Sequence, residues 1–224
     1  EEGVEELLAR TMEVAVTLKL IAKKELARVI VDSTVQEKAV AHPTDSKLLE
    51  TARAKVVEAA KANGIELKQT YAKEGQQLSF KAGRYAHARQ FRRMRKAIKR
   101  QRTIVGRLQR EVSRKMSALS QAVQEALGLT LDKAKRLVAQ TGSRKAMGNG
   151  AKLYSWHAPE AECISKGKSR NPYEFGVKVG LAMTLKGNLI VGARSFPGNP
   201  YDGHTMHEQI EQSTILMQGL GVKP

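Results

Sequence analysis

The acidic residue best placed for metal chemistry is Asp32, which follows the β-branched run Val29-Ile30-Val31. Such a run predicts a short buried strand that ends at Asp32. A carboxylate that projects from the edge of a sheet is rigid enough to bind a divalent cation. The same position also suits a turn aspartate that caps the strand. The local pattern alone therefore leaves Asp32 as either a metal ligand or a structural cap.

A second polar cluster lies near the end of the chain, around Asp202. Asp202 is a candidate metal ligand, but a short polar side chain just before a helix is usually an N-cap. His204 and His207 lie one helical turn apart, with Glu208 and Glu211 beside them. A third ligand with fitting spacing is not evident, so this histidine pair indicates an exposed polar helix face more than a metal site.

The most strongly charged segment lies between residues 84 and 115. It contains thirteen lysines and arginines and a single acid, Glu111, which gives a net charge of +12. A solvated helix face usually carries both positive and negative side chains. Here the positive side chains repel one another unless an anion lies along the helix. Ten of the thirteen are arginines, which favours bidentate contact with phosphate. The residues predicted to bind DNA are Arg84, Arg89, Arg92, Arg93, Lys96, Lys99, Arg100 and Arg107.

The elements that carry this charge are predicted to be helical. From Arg84 to Leu127 there is no proline, and apolar residues recur every seven positions from Phe91 to Ala126. This spacing predicts one long helix with a coiled-coil-like seam. Gln101 and Lys115 interrupt the second seam position, which favours packing against another helix of the same chain over an extended dimer.

The flanking segments also show helical spacing. We expect helices over residues 5–22 and from a cap at Ser46 to an end at Gly64, then a basic loop to about Gly83. A shorter helix is expected over residues 131–140. The last helix is expected from about Met206 to Leu220.

A β-hairpin is predicted after Glu174. Residues 175, 177, 179, 181 and 183 are apolar and alternate with small or polar residues, which is typical of a half-buried strand. Lys186-Gly187 then predicts a tight turn into a second strand, residues 189–193. We expect the Asp32 strand to join this sheet.

Composition restricts the function classes. A net charge of +17 on 224 residues points to a polyanionic partner, and aromatic residues at 4% are few for a base-stacking surface, which favours a duplex backbone. The single cysteine, Cys163, excludes an internal disulfide and a multi-cysteine zinc site. No apolar run is long enough to span a membrane, so we expect no membrane partner and a cytoplasmic protein, associated with the nucleoid when bound to DNA.

Five sequence blocks together extend over nearly the whole chain. They are Val31-Asp32-Ser33-Thr34-Val35 continuing to Asp45, residues 81–88, residues 153–160, residues 172–178 and residues 197–205. The blocks resemble, in the same order, those of a subgroup of DDE transposases from bacterial insertion sequences. This resemblance is far more specific than any single motif would be.

The resemblance implies an α/β fold: a partial ribonuclease H-like core of first strand, hairpin and helix, with a long basic helical insertion. Residues 1–45 would carry the first core strand, residues 46–150 the insertion, and residues 151–224 the hairpin and following helix. In that family the aspartate of the first block is a catalytic acid, which makes Asp32 the expected catalytic and metal-binding residue. Asp202 belongs to a family block but is not thereby the second acid.

The resemblance also implies a Mg²⁺-dependent transposase that cuts and rejoins DNA at two metal ions. The second and third acids are expected beyond Pro224 and a DNA-binding domain before Glu1, so we expect an internal fragment that is inactive alone. Its expected partner is duplex DNA, at transposon ends and target, with a homo-oligomer possible on DNA. The alternatives are a non-enzymatic basic helical nucleic-acid-binding protein and a helical assembly protein that uses the heptad seam.

Overall fold

A computed structural model describes residues 2–142, 152–165, 167 and 172–222. It has a mixed α/β fold whose contacts divide the chain into two compact units. One unit joins Glu1–Lys38 to Glu162–Pro224 and carries the sheet. The other, Ala39–Ala161, is helical. No helix in the described part of the chain has the length and apolarity needed to cross a membrane.

The sheet unit begins with α1 (Glu2–Thr17), a 3-10 helix (Lys23–Ala27) and β1 (Val29–Glu37). It continues after the helical unit with β2 (Glu162–Ser165), β3 (Tyr173–Thr184), β4 (Ile190–Phe196) and α6 (Asp202–Leu216), and closes with a 3-10 helix (Gln218–Leu220). The helical unit contains α2 (Asp45–Ala62), α3 (Ala72–His87), α4 (Phe91–Met116) and α5 (Gln121–Gln140).

All four strands form one antiparallel sheet with β3 at its centre. β1 pairs along one edge of β3, with Asp32 opposite Leu181, while β2 and β4 pair along the other edge. The predicted hairpin and the joining of the Asp32 strand to it are confirmed. Asn188, rather than Gly187, takes the left-handed backbone conformation in the turn (φ 51°), and Val191 is an extra residue in a β-bulge.

The core of the sheet unit lies on the opposite face of β3 from the one that its apolar residues suggest. The even positions, including Gly180 and Ala182, are buried, and Ala182 packs in one cluster with Met12 of α1 and Met217. The apolar odd positions remain partly exposed. Small residues are needed on the buried face because α6 lies close to it: a Cβ on Gly192 would lie 2.4 Å from Ser213 Oγ.

The predicted long helix over residues 84–127 is wrong, because two turns divide that segment among three helices. The first turn contains Arg89 in a left-handed conformation (φ 55°), and the second follows Met116. The predicted basic loop to Gly83 is also wrong, since most of α3 occupies it. Gly75 of α3 lies against α2, where a Cβ would clash with the Glu50 and Arg53 side chains.

The helical unit nevertheless packs through the predicted seam. Val105 and Val112 of α4 are buried together with apolar residues of α2 and α5, so packing of α4 within its own chain is confirmed. Two seam residues are exceptions: Phe91 is 49% exposed at the start of α4, and Ala126 is exposed. Ser46 is not the cap of α2. Thr44 is, and its hydroxyl accepts a hydrogen bond from the Lys47 backbone amide.

Candidate functional site

Six basic residues of α4 lie on one exposed face of the helix. The buried face of this helix contains Ala97, Gln101, Ile104, Leu108 and Val112, so residues at helical spacing on the opposite side face solvent. From Arg92 to Arg114 this face extends for about 33 Å at 1.5 Å per residue. The cations of this stripe, which we call the α4 stripe, are Arg92, Lys96, Lys99, Arg107, Arg110 and Arg114.

The positive charge of Arg107 contributes to the lowered pKa of Glu74, but neighbouring acids do not otherwise neutralise the α4 stripe. None of its six side chains makes a salt bridge with an acid in the described part of the chain. Glu111, the one acid of the basic segment, lies away from the stripe and pairs with Lys115 at 3.0 Å. Its pKa is lowered because it accepts a hydrogen bond from the Lys68 backbone amide and another from Lys115. The six cations therefore remain available for an external anion.

Arg100 differs from the other predicted DNA-binding residues. Its guanidinium binds Glu74 of α3 through two hydrogen bonds, Nε to Oε1 at 2.7 Å and Nη2 to Oε2 at 3.1 Å. This bidentate contact lowers the pKa of Glu74 and raises that of Arg100. The sequence interpretation missed Glu74 because it placed that residue in a loop. Arg100 is already paired with an intramolecular carboxylate.

The remaining predicted DNA-binding residues surround the turn between α3 and α4. Arg84 of α3 lies over the exposed Phe80 ring, 5.8 Å from its centroid, and Arg93 lies 6.0 Å from the centroid of Tyr85. Arg89 is exposed in the turn itself. The predicted residues therefore lie on two adjoining helices and their connection, and not along one uninterrupted helix.

A cleft of about 570 Å³ adjoins the α4 stripe between α4 and α5. Gly106 and Gly128 lie in its lining, and the charged residues there are Arg110, Arg114, Asp132 and Lys135. Arg110 and Arg114 belong to the α4 stripe, and the charges of Lys135 and Asp132 on α5 offset each other. The cleft therefore adds no net charge to that of the stripe.

The second candidate site surrounds Asp32, which lies in the middle of β1 and not at its end. β1 continues to Glu37 because Ser33, Thr34 and Val35 alternate between faces and pair with β3 as far as Gly176. The predicted buried strand ending at Asp32 is therefore wrong. The Asp32 side chain is exposed, and its Oδ1 accepts a hydrogen bond from the Ser33 backbone amide at 2.8 Å.

Asp32 and Asp202 line one small cleft of about 140 Å³ between β1, β3 and the start of α6. Gln209 also lines this cleft. It is completely buried, and its Oε1 accepts no hydrogen bond from the described residues. Asp32 pairs with Leu181, however, while Gln209 lies against Gly180 on the other face of β3. The strand register therefore directs the Asp32 carboxylate away from Gln209.

Asp202 does not act as the N-cap of α6. Tyr201 occupies the cap position, and Asp202 is the first helical residue, with one carboxylate oxygen 2.5 Å from Lys178 Nζ. Lys178 is buried under this loop and also donates a hydrogen bond to the Pro200 carbonyl at 2.6 Å. Lys178 was not among the predicted site residues, although its position as a charged residue among the small residues of β3 was a signal in the sequence. Asp202 is a partner for a buried ammonium group.

The residues present do not provide a site for a pair of magnesium ions. Within the described ranges, no group of three or more His, Cys, Asp or Glu side chains could hold a metal. Asp202 is engaged by Lys178, and Glu208 pairs with Arg194 at 3.2 Å. His204 and His207 are exposed, as expected of a polar helix face. Of Asp32, Asp202 and Glu208, Asp32 is the one without an ion pair among the described residues.

Comparison with known proteins gives one informative similarity. Over 90 residues the chain is 48% identical to "Uncharacterized protein ORF8 in nfe locus" from Rhizobium meliloti. The aligned region covers 40% of this chain and 44% of that protein, so the chain matches less than half of its relative. No protein-family model matches the sequence. No solved structure matches it either.

Proposed function

We propose that this chain binds duplex DNA through the α4 stripe, as part of an insertion-sequence transposase. The observation that carries the proposal is six exposed cations along about 33 Å of one helix, with no salt bridge to a described acid. Duplex DNA presents a regular row of phosphates over such a length, whereas a globular acidic protein rarely does. Because the contacts are to phosphate, binding should show little sequence preference.

The transposase part of the proposal is supported by the resemblance and by the topology around Asp32. The sheet order places β1 beside the β3–β4 hairpin, with α6 following, which suits a partial ribonuclease H-like core. Asp32 would supply one metal-binding acid there. The donors present do not fit a Mg²⁺ pair, so the other acids would have to come from outside the described residues.

A second candidate function is a basic nucleic-acid-binding protein without catalysis. The exposed position of Asp32 away from any group of three potential ligands in the described ranges favours this alternative. Both functions require the α4 stripe to bind DNA. They differ only in whether Asp32 contributes to cleavage in a longer protein.

The proposal is tested by the salt dependence of duplex binding. Replacing Arg92, Lys96, Lys99 and Arg107 together with glutamine should weaken binding to all duplexes and flatten the log–log salt slope by up to about 3.6, about 0.9 for each lost phosphate contact. The matched control removes the same charge from exposed positions of the sheet unit, Lys23, Lys24, Arg28 and Lys186. Equal effects of the two quadruple variants would mean that net charge, and not the α4 stripe, causes binding.

A further inference from the structure

The turn between α3 and α4 combines an exposed aromatic ring with several arginines. Phe91, the first residue of α4, is 49% exposed, and Arg89, Arg92 and Arg93 are exposed around it. A further aromatic residue, Tyr85, lies close by, with Arg93 over its ring. The aromatic residues are few in this chain, yet Phe80, Tyr85 and Phe91 lie within twelve residues of one another.

Packing does not explain the position of Phe91. The seam of α4 is buried at Val105 and Val112, but Phe91 does not belong to the buried core cluster of the helical unit. The turn has no side-chain cap at the start of α4, since Gln90 makes no capping hydrogen bond. A half-exposed ring at this position gives up much of the hydrophobic stabilisation that burial would provide.

The chemistry around Phe91 suits a nucleic acid more than an apolar protein surface. Arg89, Arg92 and Arg93 line an open cavity of about 540 Å³ together with Phe91. Arg93 also donates a hydrogen bond to Gln90 Oε1 at 3.0 Å, so its guanidinium is held next to this ring. Guanidinium groups bind phosphates, and an aromatic ring stacks on a base that has left its normal stack. The α4 stripe begins at Arg92, next to this ring, so a duplex on the stripe would reach it.

We propose that Phe91 stacks on an unpaired base at a gap or bulge in DNA while Arg89, Arg92 and Arg93 bind the phosphates on either side. This inference rests on the proposed function, because it requires DNA to lie along the α4 stripe. It adds a preference for DNA in which the stacking is interrupted. Intact duplex offers no base face to Phe91 without the cost of unstacking.

The test compares the affinity of the full chain for an intact 30-base-pair duplex and for the same duplex with a three-nucleotide gap. The wild-type protein should prefer the gapped DNA by about 5-fold or more, the lower end of what stacking on one base provides. Phe91→Ala should lose this preference and keep its affinity for intact duplex. Phe91→Trp, which retains an aromatic face, should keep it.

The control is Leu129→Ala, which removes another exposed apolar side chain from the helical unit, on α5, and should leave both affinities unchanged. Equal wild-type affinity for the two DNAs, or an equal loss on both in Phe91→Ala, would refute the stacking role alone. Absence of binding to either DNA would refute the proposed function as well. Because Phe91 lies half-exposed at a helix terminus, the circular dichroism spectrum of Phe91→Ala should match that of the wild type.

Discussion

Ser46 and Gln101 form a buried pair of hydrogen bonds between α2 and α4. The Ser46 hydroxyl donates to Gln101 Oε1 at 2.7 Å, and Gln101 Nε2 donates to the Ser46 backbone carbonyl at 3.2 Å. Both residues are buried, at 6% and 2% exposure. Gln101 interrupts the apolar seam of α4, and this partner explains the interruption: the amide fixes the register of α4 against α2 by satisfying both of its polar groups.

Removing the Ser46 hydroxyl should destabilise the helical unit more than a substitution at an exposed position does. Ser46→Ala leaves Gln101 Oε1 buried without a donor, which should lower the free energy of unfolding by about 1–3 kcal/mol. Urea denaturation followed by circular dichroism measures this loss. Gln76→Ala, at an exposed site of α3, is the control and should change the free energy of unfolding by less than about 0.5 kcal/mol. Equal losses in the two variants would mean that the buried pair contributes nothing specific.

Helical periodicity in the sequence was sufficient to predict the core contacts of the helical unit but not its turns. Val105 and Val112 are buried as the heptad pattern predicted. The predicted helix began at Arg84 and so included residues 88–90, where Arg89 takes a left-handed backbone conformation that no turn-forming residue signals. After this turn α4 packs back along α3, with Arg100 bound to Glu74, and local sequence rules do not detect a contact between residues so far apart in the chain.

The sheet could be predicted in its pairing but not in its orientation. Alternation along β3 predicted two faces and the hairpin correctly. Hydrophobicity then suggested that the odd residues form the core, whereas Gly180 and Ala182 of the even face are buried under α6. Close approach of a helix to a sheet selects small residues over apolar ones. Small residues do recur at alternate positions of β3, but hydrophobicity alone does not identify their face as the buried one. The Asp32 candidate was placed on the correct strand but at the wrong point along it.

The close contact between β4 and α6 makes Gly192 sensitive to substitution. A Cβ there would lie 2.4 Å from Ser213 Oγ and 2.7 Å from Gln209 Nε2, both buried. We expect Gly192→Ala to destabilise the sheet unit by about 1–3 kcal/mol, as overpacking of a core does. Gly192→Ala combined with Ser213→Ala should recover part of this loss in thermal denaturation. No recovery in the double variant would show that Ser213 is not the obstruction.

The Glu74–Arg100 pair should restrain DNA binding, because Glu74 occupies a guanidinium that phosphate would otherwise bind. Glu74→Gln should tighten duplex binding and steepen its log–log salt slope by up to about 0.9, one additional phosphate contact. Glu58→Gln makes the same charge change in α2, where Glu58 pairs with Lys55 on the surface, and should have a smaller effect. Fluorescence anisotropy at several salt concentrations gives both slopes. Identical slopes in the two variants would place Arg100 outside the DNA contact.

The Glu74–Arg100 pair should also make the stability of the folded protein depend on pH. Arg100 lowers the pKa of Glu74 in the folded protein. The pair therefore stabilises the folded protein fully when the pH is above the ordinary glutamate pKa. This stabilisation is lost as the pH falls through the lowered pKa of Glu74. The effect on unfolding should be small, since the side chains are 38% and 40% exposed. In an NMR titration of the Glu74 carboxyl carbon, Arg100→Gln should move the midpoint upward, and an unmoved midpoint would contradict the assigned cause.

The last prediction concerns Asp32 and metal-dependent cleavage. A lone exposed carboxylate on β1 should bind Mg²⁺ weakly, and two-metal chemistry requires further carboxylates that the described residues do not bring near it. The purified 224-residue chain should therefore leave a supercoiled plasmid intact in Mg²⁺. Asp32→Asn should keep the fold and the duplex affinity, because an asparagine Oδ1 can still accept the Ser33 amide hydrogen bond.

A longer polypeptide that carries the remaining acids provides the decisive measurement for this prediction. Cleavage should then appear with Mg²⁺ and disappear in Asp32→Asn, since the amide keeps the shape of the side chain but removes its charge. Glu37→Gln removes an equal charge from an exposed position of the same strand, so it should retain cleavage. If Asp32→Asn cleaves DNA as fast as the unmodified polypeptide, the catalytic acid lies elsewhere. Such a result would leave the α4 stripe as a DNA-binding surface and remove Asp32 from the active site.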